Sequence, residues 1–317
     1  MNNVELFLKK ARQSCSGVKH LVVVSPHDVA TLLAVEHARK ELNIEATLVG
    51  EETKIIAAAE QAGVCLMPFK VVIAASDVAA AESAVQLIAA GKGHVLMKGL
   101  IDTSILLKAL LAKELGLRGE RLLSHVALLL PPKEQRYYLL TDAGMNISPS
   151  LEAKQQIIEN AVQMSHALGN TNPNVALLCA KEKAYDKMPA TIDAVELQAR
   201  NRSGVITGCT VSGPLQLDLA LSAKAAAMKD CQDPVAGRVD IFVAPTIEVG
   251  NVFGKALKYM ANYVYAGVIL GAKIPVVVVS RADSEQEKLL SIAMACVCVS
   301  SPRDVAKQAE RQVEVTS

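Results

Sequence analysis

The chain has 317 residues, of which 51% are hydrophobic, and its formal net charge is +1. The length suits one large α/β domain or two lobes of ordinary size. The near-neutral charge argues against nucleic acid or an anionic membrane as a partner, because neither would be attracted over long range. Aromatic residues make up only 3% and tryptophan is absent, which argues against stacking on nucleobases.

The N-terminus and the cysteines favour a soluble, cytoplasmic protein. The first residues, MNNVELFLKKARQ, are amphipathic and charged, and they lack the continuous apolar segment of a signal peptide. No apolar run approaches the ~18 residues that cross a membrane. The seven cysteines are scattered, with no CxxC or Cys/His cluster. They are expected to be reduced thiols, most of them small, inert core residues.

The first part of the chain alternates short apolar runs with helical patterns. The predicted strands are 20–24, 46–49, 71–74 and 94–97, and the predicted helices are 28–42, 51–62, 77–90 and 102–114. Asp102 or Thr103 is a suitable N-cap for the last of these helices. Repeated alternation of strand and helix predicts a parallel sheet that is covered on both faces.

The pattern changes near residue 124. There VALLL, PPKEQR and YYLLT predict two strands joined by a turn, an antiparallel hairpin. Alternation then resumes to the C-terminus. The predicted helices are 149–168, 190–200, 215–228, 251–261, 284–298 and 303–312, and the predicted strands are 175–179, 241–244, 264–270 and 275–279.

The hairpin divides the chain into two lobes, and no Ser/Gly-rich linker separates them. The first α/β lobe is predicted to comprise residues 1–127 plus 283–317, since the C-terminal helices are expected to return to it. The second α/β lobe, residues 128–282, is predicted to carry substrate-site loops. The predicted fold class is therefore a two-lobed αβα sandwich with mixed, mostly parallel sheets.

Familiar nucleotide-binding and hydrolase motifs are absent from the sequence. It contains no G-x-x-x-x-G-K-[ST], no G-x-G-x-x-G after a strand, no G-x-S-x-G and no H-E-x-x-H. Chemistry is therefore expected from loops that follow strands, because ligands of open α/β sheets bind beyond the carboxyl ends of the strands.

The loop after the fourth predicted strand is a candidate anion site. It contains Lys98, Gly99, Thr103 and Ser104. A lysine, a glycine that lets backbone approach, and hydroxyls at a helix N-terminus suit a phosphate or carboxylate. The alternative is a helix cap beside a solvated lysine, and the residues alone do not choose between the two.

Two later loops carry weaker signals. TDAGMN (141–146) supplies Asp142 and Asn146, but Asp, Gly and Asn are also ordinary turn residues. PTIEVGN (245–251) ends in Asn251 and leads into a helix that bears Lys255, where a cap and a surface lysine are the competing interpretation.

The stretch IPVVVVSRADSEQEK (274–288) is the most informative. Ser280 emerges at the carboxyl end of an apolar strand, and Arg281 can hold a phosphate or carboxylate with two hydrogen bonds. Glu287 lies about one turn into the next helix and is a candidate base. Ser284-x-x-Glu287 also has the pattern of a capping box, and Ser280-x-x-Asp283 its acidic form. From pattern alone, the cap is favoured for Glu287.

Five segments resemble the phosphate acetyltransferase/butyryltransferase family. They are LMKGLIDTSILLKALL (96–111), TDAGMNISPSLEAKQQIIENAV (141–162), VSGPLQLDLALS (211–222), APTIEVGNVFGKAL (244–257) and GAKIPVVVVSRADSEQEKLLSIAMA (271–295). The forms KGLIDTS, DAGMNI and SRADS look more like the butyryl than the acetyl enzymes. The resemblance runs in order along nearly the whole chain from about residue 20.

The resemblance implies the reversible reaction acyl-CoA + phosphate ⇌ acyl phosphate + CoA, by direct transfer in a ternary complex. It implies an isocitrate/isopropylmalate dehydrogenase-like fold, a homodimer, and a site in the cleft between the lobes. Acyl-CoA and phosphate would be substrates, with no tightly bound cofactor and no metal.

The family's Ser-Arg pair matches Ser280 and Arg281, and its acidic base falls on Glu287, where Asp is usual; Asp283 is the second candidate. Lys108 stands where the family has an arginine that holds phosphate, and a lysine keeps that charge without the bidentate fork. The resemblance also implies roles near the substrate for Asn251 and Lys255.

Two other functions use the same architecture or the same loops. One is a metal-dependent NAD(P) dehydrogenase, for which no cluster of aspartates with metal-binding spacing is visible. The other is a non-catalytic protein that binds acyl-CoA or phosphate, which would use these loops without turnover.

Overall fold

The structure is a computed structural model that describes residues 2–14 and 17–299. The predicted helix at 303–312 lies outside the described residues. The described residues divide into two compact units: the first comprises residues 8–14, 17–118 and 273–299, and the second comprises residues 2–7 and 119–272.

Strands and helices alternate through both units. The strands are β1 (His20–Val24), β2 (Glu45–Gly50), β3 (Lys70–Ile73), β4 (Val95–Lys98), β5 (Ser124–Leu130), β6 (Tyr138–Thr141), β7 (Asn174–Leu178), β8 (Thr210–Leu215), β9 (Ile241–Val243), β10 (Val264–Leu270) and β11 (Val276–Val277). The helices are α1 (Asn3–Ser14), α2 (Val29–Leu42), α3 (Glu52–Ala62), α4 (Asp77–Ala89), α5 (Thr103–Leu110), α6 (Leu151–Ala167), α7 (Pro189–Arg202), α8 (Leu217–Leu221), α9 (Ala223–Met228), α10 (Ile247–Ala261) and α11 (Glu285–Cys298), with a 3-10 turn at Lys113–Leu115.

In the first unit the strands follow the order β3-β2-β1-β4-β11, and each neighbouring pair is parallel. Strand β1 is almost entirely buried, which agrees with its uninterrupted apolar sequence. Helix α2 begins where the Asp28 carboxylate accepts a 2.9 Å hydrogen bond from the Thr31 amide, and it ends at Asn43 in the left-handed region. Local capping chemistry therefore sets both ends of this helix.

In the second unit the strands follow the order β10-β5-β6-β9-β7-β8. The pairs β10–β5 and β5–β6 are antiparallel, which confirms the predicted hairpin, and β6–β9, β9–β7 and β7–β8 are parallel. The predicted mixed, mostly parallel α/β architecture is confirmed. Phe242 lies at the centre of this unit's core, with its ring against those of Tyr138 and Phe253.

Strand β8 was not predicted, and the helix expected at 215–228 is broken into α8 and α9. Ser212, Gly213 and Pro214 lie inside β8, and this tripeptide has the composition of a turn. A proline is tolerated in a strand at the edge of a sheet, and β8 is last in the strand order of its unit.

Strand pairing also explains where the two units divide. Strand β5 pairs with β6 and β10, so the chain from Gly119 onward belongs to the second unit. Strand β11 pairs with β4, so the chain from Lys273 onward belongs to the first. These divisions lie earlier in the chain than the predicted ones at 127/128 and 282/283. Residues Met1–Phe7 join the second unit, where the Asn3 side chain donates to the Pro131 and Arg136 carbonyls.

Gly99 fixes the chain at the carboxyl end of β4. Its amide donates a 2.8 Å hydrogen bond to the Val24 carbonyl, and the Leu100 amide donates a 2.7 Å bond to the Ser25 carbonyl. A Cβ atom at residue 99 would collide with the Ser25 carbonyl oxygen. The chain can therefore cross the end of β1 only where the side chain is absent.

We expect Gly99→Ala to destabilise the first unit by about 1–3 kcal/mol or more, because the added methyl group meets backbone that cannot move aside easily. Thermal unfolding of the purified variant measures the loss. Gly63→Ala is the matched control: Gly63 has φ +64° but open space at its Cβ position, so only about 1 kcal/mol of backbone strain is expected. Equal stability losses in the two variants would contradict the steric account.

Candidate active site

Three neighbouring strands of the first unit end at the same edge. In the order β1-β4-β11, the last residue of β4 is Lys98, and it lies opposite Val24 at the end of β1. The chain after β1 leads to Asp28, and the chain after β11 leads to Ser280 and Arg281. Parallel strands thus bring together segments that are far apart in sequence, at the edge where α/β proteins bind ligands.

Lys98 is a buried cation, with only 6% of its surface exposed. Its ammonium lies 3.4 Å from the carbonyl oxygen of the adjoining Gly99, and no carboxylate of the described residues is within ion-pair distance. Burial lowers the pKa of Lys98, and repulsion by Arg281 lowers it further. A buried ammonium without an anionic partner is costly, and a bound anion would offset that cost.

Arg281 lies beside the turn that carries Lys98. Its Nη2 atom is 3.5 Å from Oδ1 of Asp102, and both side chains are largely exposed. Asp102 occupies the N-cap position of α5, but its carboxylate makes no capping hydrogen bond. The structure therefore brings the Ser280–Arg281 segment to the Lys98–Ser104 turn. Thr103 and Ser104 begin α5, so the first-turn amides of that helix lie in the same turn.

The Ser280 segment is held by hydrogen bonds within its own turn. The Ser280 amide donates a 2.7 Å bond to Oδ2 of Asp283, and the Ala282 amide donates to Oγ of Ser280. The pattern Ser280-x-x-Asp283 was expected as an acidic capping box, but it closes a turn, and the N-cap of the following helix is Ser284. A catalytic role for Ser280 or Asp283 stays a prediction.

Glu287 and Ser284 form the predicted capping box at the start of α11. The Ser284 amide donates a 2.8 Å bond to Oε2 of Glu287, and the Glu287 amide donates a 3.3 Å bond to Oγ of Ser284. Glu287 is buried, at 7% exposure. The capping interpretation is confirmed, whereas the role of Glu287 as a base stays a prediction.

A second buried lysine lies next to Glu287 and was missed in the sequence. Lys288 is 2% exposed, and its ammonium is 3.5 Å from Oδ1 of Asp28 and 3.4 Å from Oγ1 of Thr31. Its repulsion also lowers the pKa of Lys98. Lys288 lies in the first turn of α11, directly before the apolar run LLSIAMACVC, and this setting is the signal that the sequence offered.

The predicted residues of the second unit are engaged in their own loop. Asp142 is 2% exposed, and its carboxylate accepts from the amides of Gly144, Met145 and Asn146. The Asn146 side chain donates to Asp142 and to the Leu123 carbonyl. Asn251 donates to the Ala143 carbonyl. These contacts build the loop, and substrate binding by Asp142, Asn146, Asn251 or the exposed Lys255 stays a prediction.

Lys108 lies on α5, the helix that begins at the Lys98–Ser104 turn. It is exposed and lines a groove of about 320 Å³ between α4 and α5, together with residues such as Glu82 and Ala109. The other residues named above at the strand ends do not line that groove. The role implied for Lys108 in holding phosphate stays a prediction.

Burial raises the pKa of the Cys179 and Cys209 thiols to about 11, as expected of inert core cysteines.

Within residues 2–14 and 17–299, no group of three or more His, Cys, Asp or Glu side chains is arranged to hold a metal ion. No helix in the described part of the chain is long and apolar enough to span a membrane.

Comparisons with known proteins point to one family. The family model described as phosphate acetyl/butaryl transferase matches residues 74–296. The phosphate butyryltransferase of Clostridium acetobutylicum is 41% identical over 280 residues, which are 88% of this chain and 93% of that protein. The phosphate acetyltransferase of Thermotoga maritima is 38% identical, over 92% of this chain and 99% of that protein.

A solved structure agrees as well. The crystal structure of a branched-chain phosphotransacylase from Enterococcus faecalis superposes with a TM-score of 0.79 and 35% identity, covering 89% of this chain and 99% of that one. The chain thus has the fold of the phosphotransacylases. It belongs to the phosphate acetyltransferase/butyryltransferase family, as its sequence motifs predicted.

We expect Lys98→Met to stabilise the folded protein at neutral pH, because it removes a buried charge that the protein does not pair. The pKa of Lys98 is lowered on folding, so the penalty is present below the folded-state pKa. It is relieved as pH rises from that value towards about 10.4, the value of a free lysine. The gain of the variant should therefore shrink at alkaline pH.

Thermal unfolding from neutral to alkaline pH measures this difference, with Lys92→Met as an exposed-lysine control. A Lys98→Met variant that is less stable than the wild type at neutral pH would show that the ammonium has a stabilising partner.

Proposed function

We propose that the chain is an enzyme that transfers a short acyl group reversibly between coenzyme A and inorganic phosphate. The observation that carries the proposal is the buried ammonium of Lys98 beside the exposed guanidinium of Arg281. Two cations at the carboxyl edge of a parallel sheet suit a phosphate dianion. Family membership supplies the acyl-CoA partner, since the relatives of known name are phosphate acyltransferases.

In the direction that forms acyl phosphate, a phosphate oxygen attacks the thioester carbon, and the carbon–sulfur bond breaks to release CoA. Arg281 and Lys98 would neutralise the phosphate. Ser280 would donate a hydrogen bond to the oxyanion or to the departing sulfur, and one such donor is worth ~10²–10³ in rate. No acyl-enzyme is needed, because phosphate and thioester meet directly.

In the opposite direction the CoA thiol must lose its proton before it attacks the acyl phosphate. A thiol with a pKa near ~8.5 is mostly protonated at neutral pH, so a carboxylate base would help. Glu287 is the first candidate and Asp283 the second. Both carboxylates accept backbone hydrogen bonds at the start of α11, which would hold them in a defined orientation.

Butyryl is the proposed acyl group, in keeping with the KGLIDTS, DAGMNI and SRADS forms of the motifs. Butyryl exceeds acetyl by two methylenes, and each is worth ~0.8 kcal/mol when buried, so roughly tenfold discrimination is expected. A branched short acyl group is the alternative, in view of the likeness to a branched-chain phosphotransacylase. We also propose a cytoplasmic location and a homodimer, as predicted from the sequence and the resemblance.

The direct test is phosphate-dependent release of CoA thiol from acetyl-, butyryl- and isobutyryl-CoA by purified protein. Arg281→Ala should reduce kcat/KM by about 10²-fold or more, because it removes charge-assisted hydrogen bonds to phosphate. Arg12→Ala, which removes another exposed arginine from its pair with Glu41, should leave activity unchanged. Near-normal turnover by a folded Arg281→Ala variant would refute the assignment of this residue.

A separate prediction distinguishes the cap from the base at residue 287. Glu287→Gln keeps a side chain that serves in a capping box but removes its basicity, so stability should be nearly unchanged. CoA attack on acyl phosphate should slow by about 10²–10⁴-fold. Paired unfolding and rate measurements test this, with Ser284→Ala as the variant that weakens the cap by about 1 kcal/mol. Full activity in Glu287→Gln would move the base to another residue.

A further inference from the structure

Lys288 is a buried lysine on the first turn of α11, and its ammonium faces Asp28, the N-cap residue of α2. The lysine end of the pair is buried and the carboxylate end is partly exposed, since the Lys288 side chain is 3% exposed and that of Asp28 is 28% exposed. Asp28 is itself held in place, because its second carboxylate oxygen accepts a 2.6 Å hydrogen bond from the Thr31 hydroxyl. Two helices that begin at the same sheet edge are joined at their first turns.

This pair adjoins the proposed phosphate site. Strand β4 lies between β1 and β11, so Lys98 at its end is flanked by the segment that leads to Asp28 and by the segment that leads to α11. The charged groups that act on Lys98 are Arg281 after β11, Lys288 on α11, Asp102 before α5 and Asp28 before α2.

The two members of the pair act on Lys98 in opposite directions. Repulsion by Lys288 lowers the pKa of Lys98, and attraction by Asp28 raises it. A buried charge pair of this kind contributes little net stability. Its field, however, extends to the neighbouring cations, because charges inside protein are poorly screened.

We propose that Lys288 and Asp28 form a buried charge pair that sets the electrostatic potential, and hence the phosphate affinity, of the site at Lys98 and Arg281. This inference rests on the proposed function of that site. Lys288 acts through its field on Lys98, so it is a positioning residue. The ligand class is a phosphate or acyl-phosphate dianion.

The two members of the pair should act in opposite directions. Lys288→Met removes the positive end and leaves the Asp28 carboxylate, so the Kd for inorganic phosphate should rise by about three- to tenfold, a modest effect for one partly screened charge. Asp28→Asn removes the negative end and keeps a good helix cap, so the Kd should fall by a similar factor. The double variant should lie between the two.

The pH dependence of phosphate affinity separates the two roles, because a purely structural role of Lys288 would not change it. Phosphate stays a dianion at alkaline pH, where its affinity should fall as Lys98 loses its proton. Lys288→Met removes repulsion, so the pKa of Lys98 rises and this fall shifts to higher pH. Asp28→Asn removes attraction, so the fall shifts to lower pH.

The experiment is calorimetric titration of the wild type and the three variants with inorganic phosphate, at several alkaline pH values. Lys154→Met is the matched control, because Lys154 is another buried lysine paired with an aspartate, at 2.6 Å from Asp193 in the second unit. It should lose stability without a change in phosphate affinity. Lys288→Arg should restore wild-type affinity.

Several results would overturn the inference. They are shifts of the same sign in Lys288→Met and Asp28→Asn, no shift in either, or no phosphate binding by the wild type. If Lys288→Met does not fold, the predicted shift in Asp28→Asn still decides. Failure of the proposed function would give a different result: the wild type would bind phosphate but would not release CoA thiol from acyl-CoA.

Discussion

The buried ammonium of Lys98 is the constraint on which the functional edge of the first unit depends. A lysine inside a protein needs a counter-ion, and the carboxylates nearby, Asp102 and Asp28, act on it only from a distance. Asp102 lies against Arg281, and Asp28 lies against Lys288. The positive charge at the end of β4 would therefore be available to a ligand. An anionic substrate would supply the negative charge that the Lys98 ammonium lacks.

Strand order is what makes this arrangement available. Asp28, Lys98 and Arg281 are widely separated in sequence, yet each follows one of three adjacent parallel strands. The helices that begin there, α2 and α11, direct their first-turn amides to the same edge, which favours negative charge in the site. Gly99 allows the chain to cross the end of β1 without a side chain. The strand order thus determines both where these segments meet and where the positive charge of the site lies.

Most of the strands and helices could be predicted from the sequence because apolar periodicity and capping patterns are local signals. Strands β1 and β10 were bounded correctly, and the meeting of Arg281 with the Lys98 turn followed from the rule about carboxyl ends. Strand β8 was missed because Ser-Gly-Pro has the composition of a turn. Lys288 was missed because its partner, Asp28, is remote in sequence, and no local pattern reports such a pair.

Two acidic residues at the start of α11, Asp283 and Glu287, lie near the proposed anion site, and their hydrogen bonds explain how this is possible. A bare carboxylate there would repel phosphate. Asp283 instead accepts the Ser280 amide, and Glu287 accepts the Ser284 amide and hydroxyl, so these charges are partly compensated by donors of their own turn. A carboxylate held in this way would have a fixed orientation towards the proton of a thiol, and it would leave the cations at Lys98 and Arg281 to the phosphate.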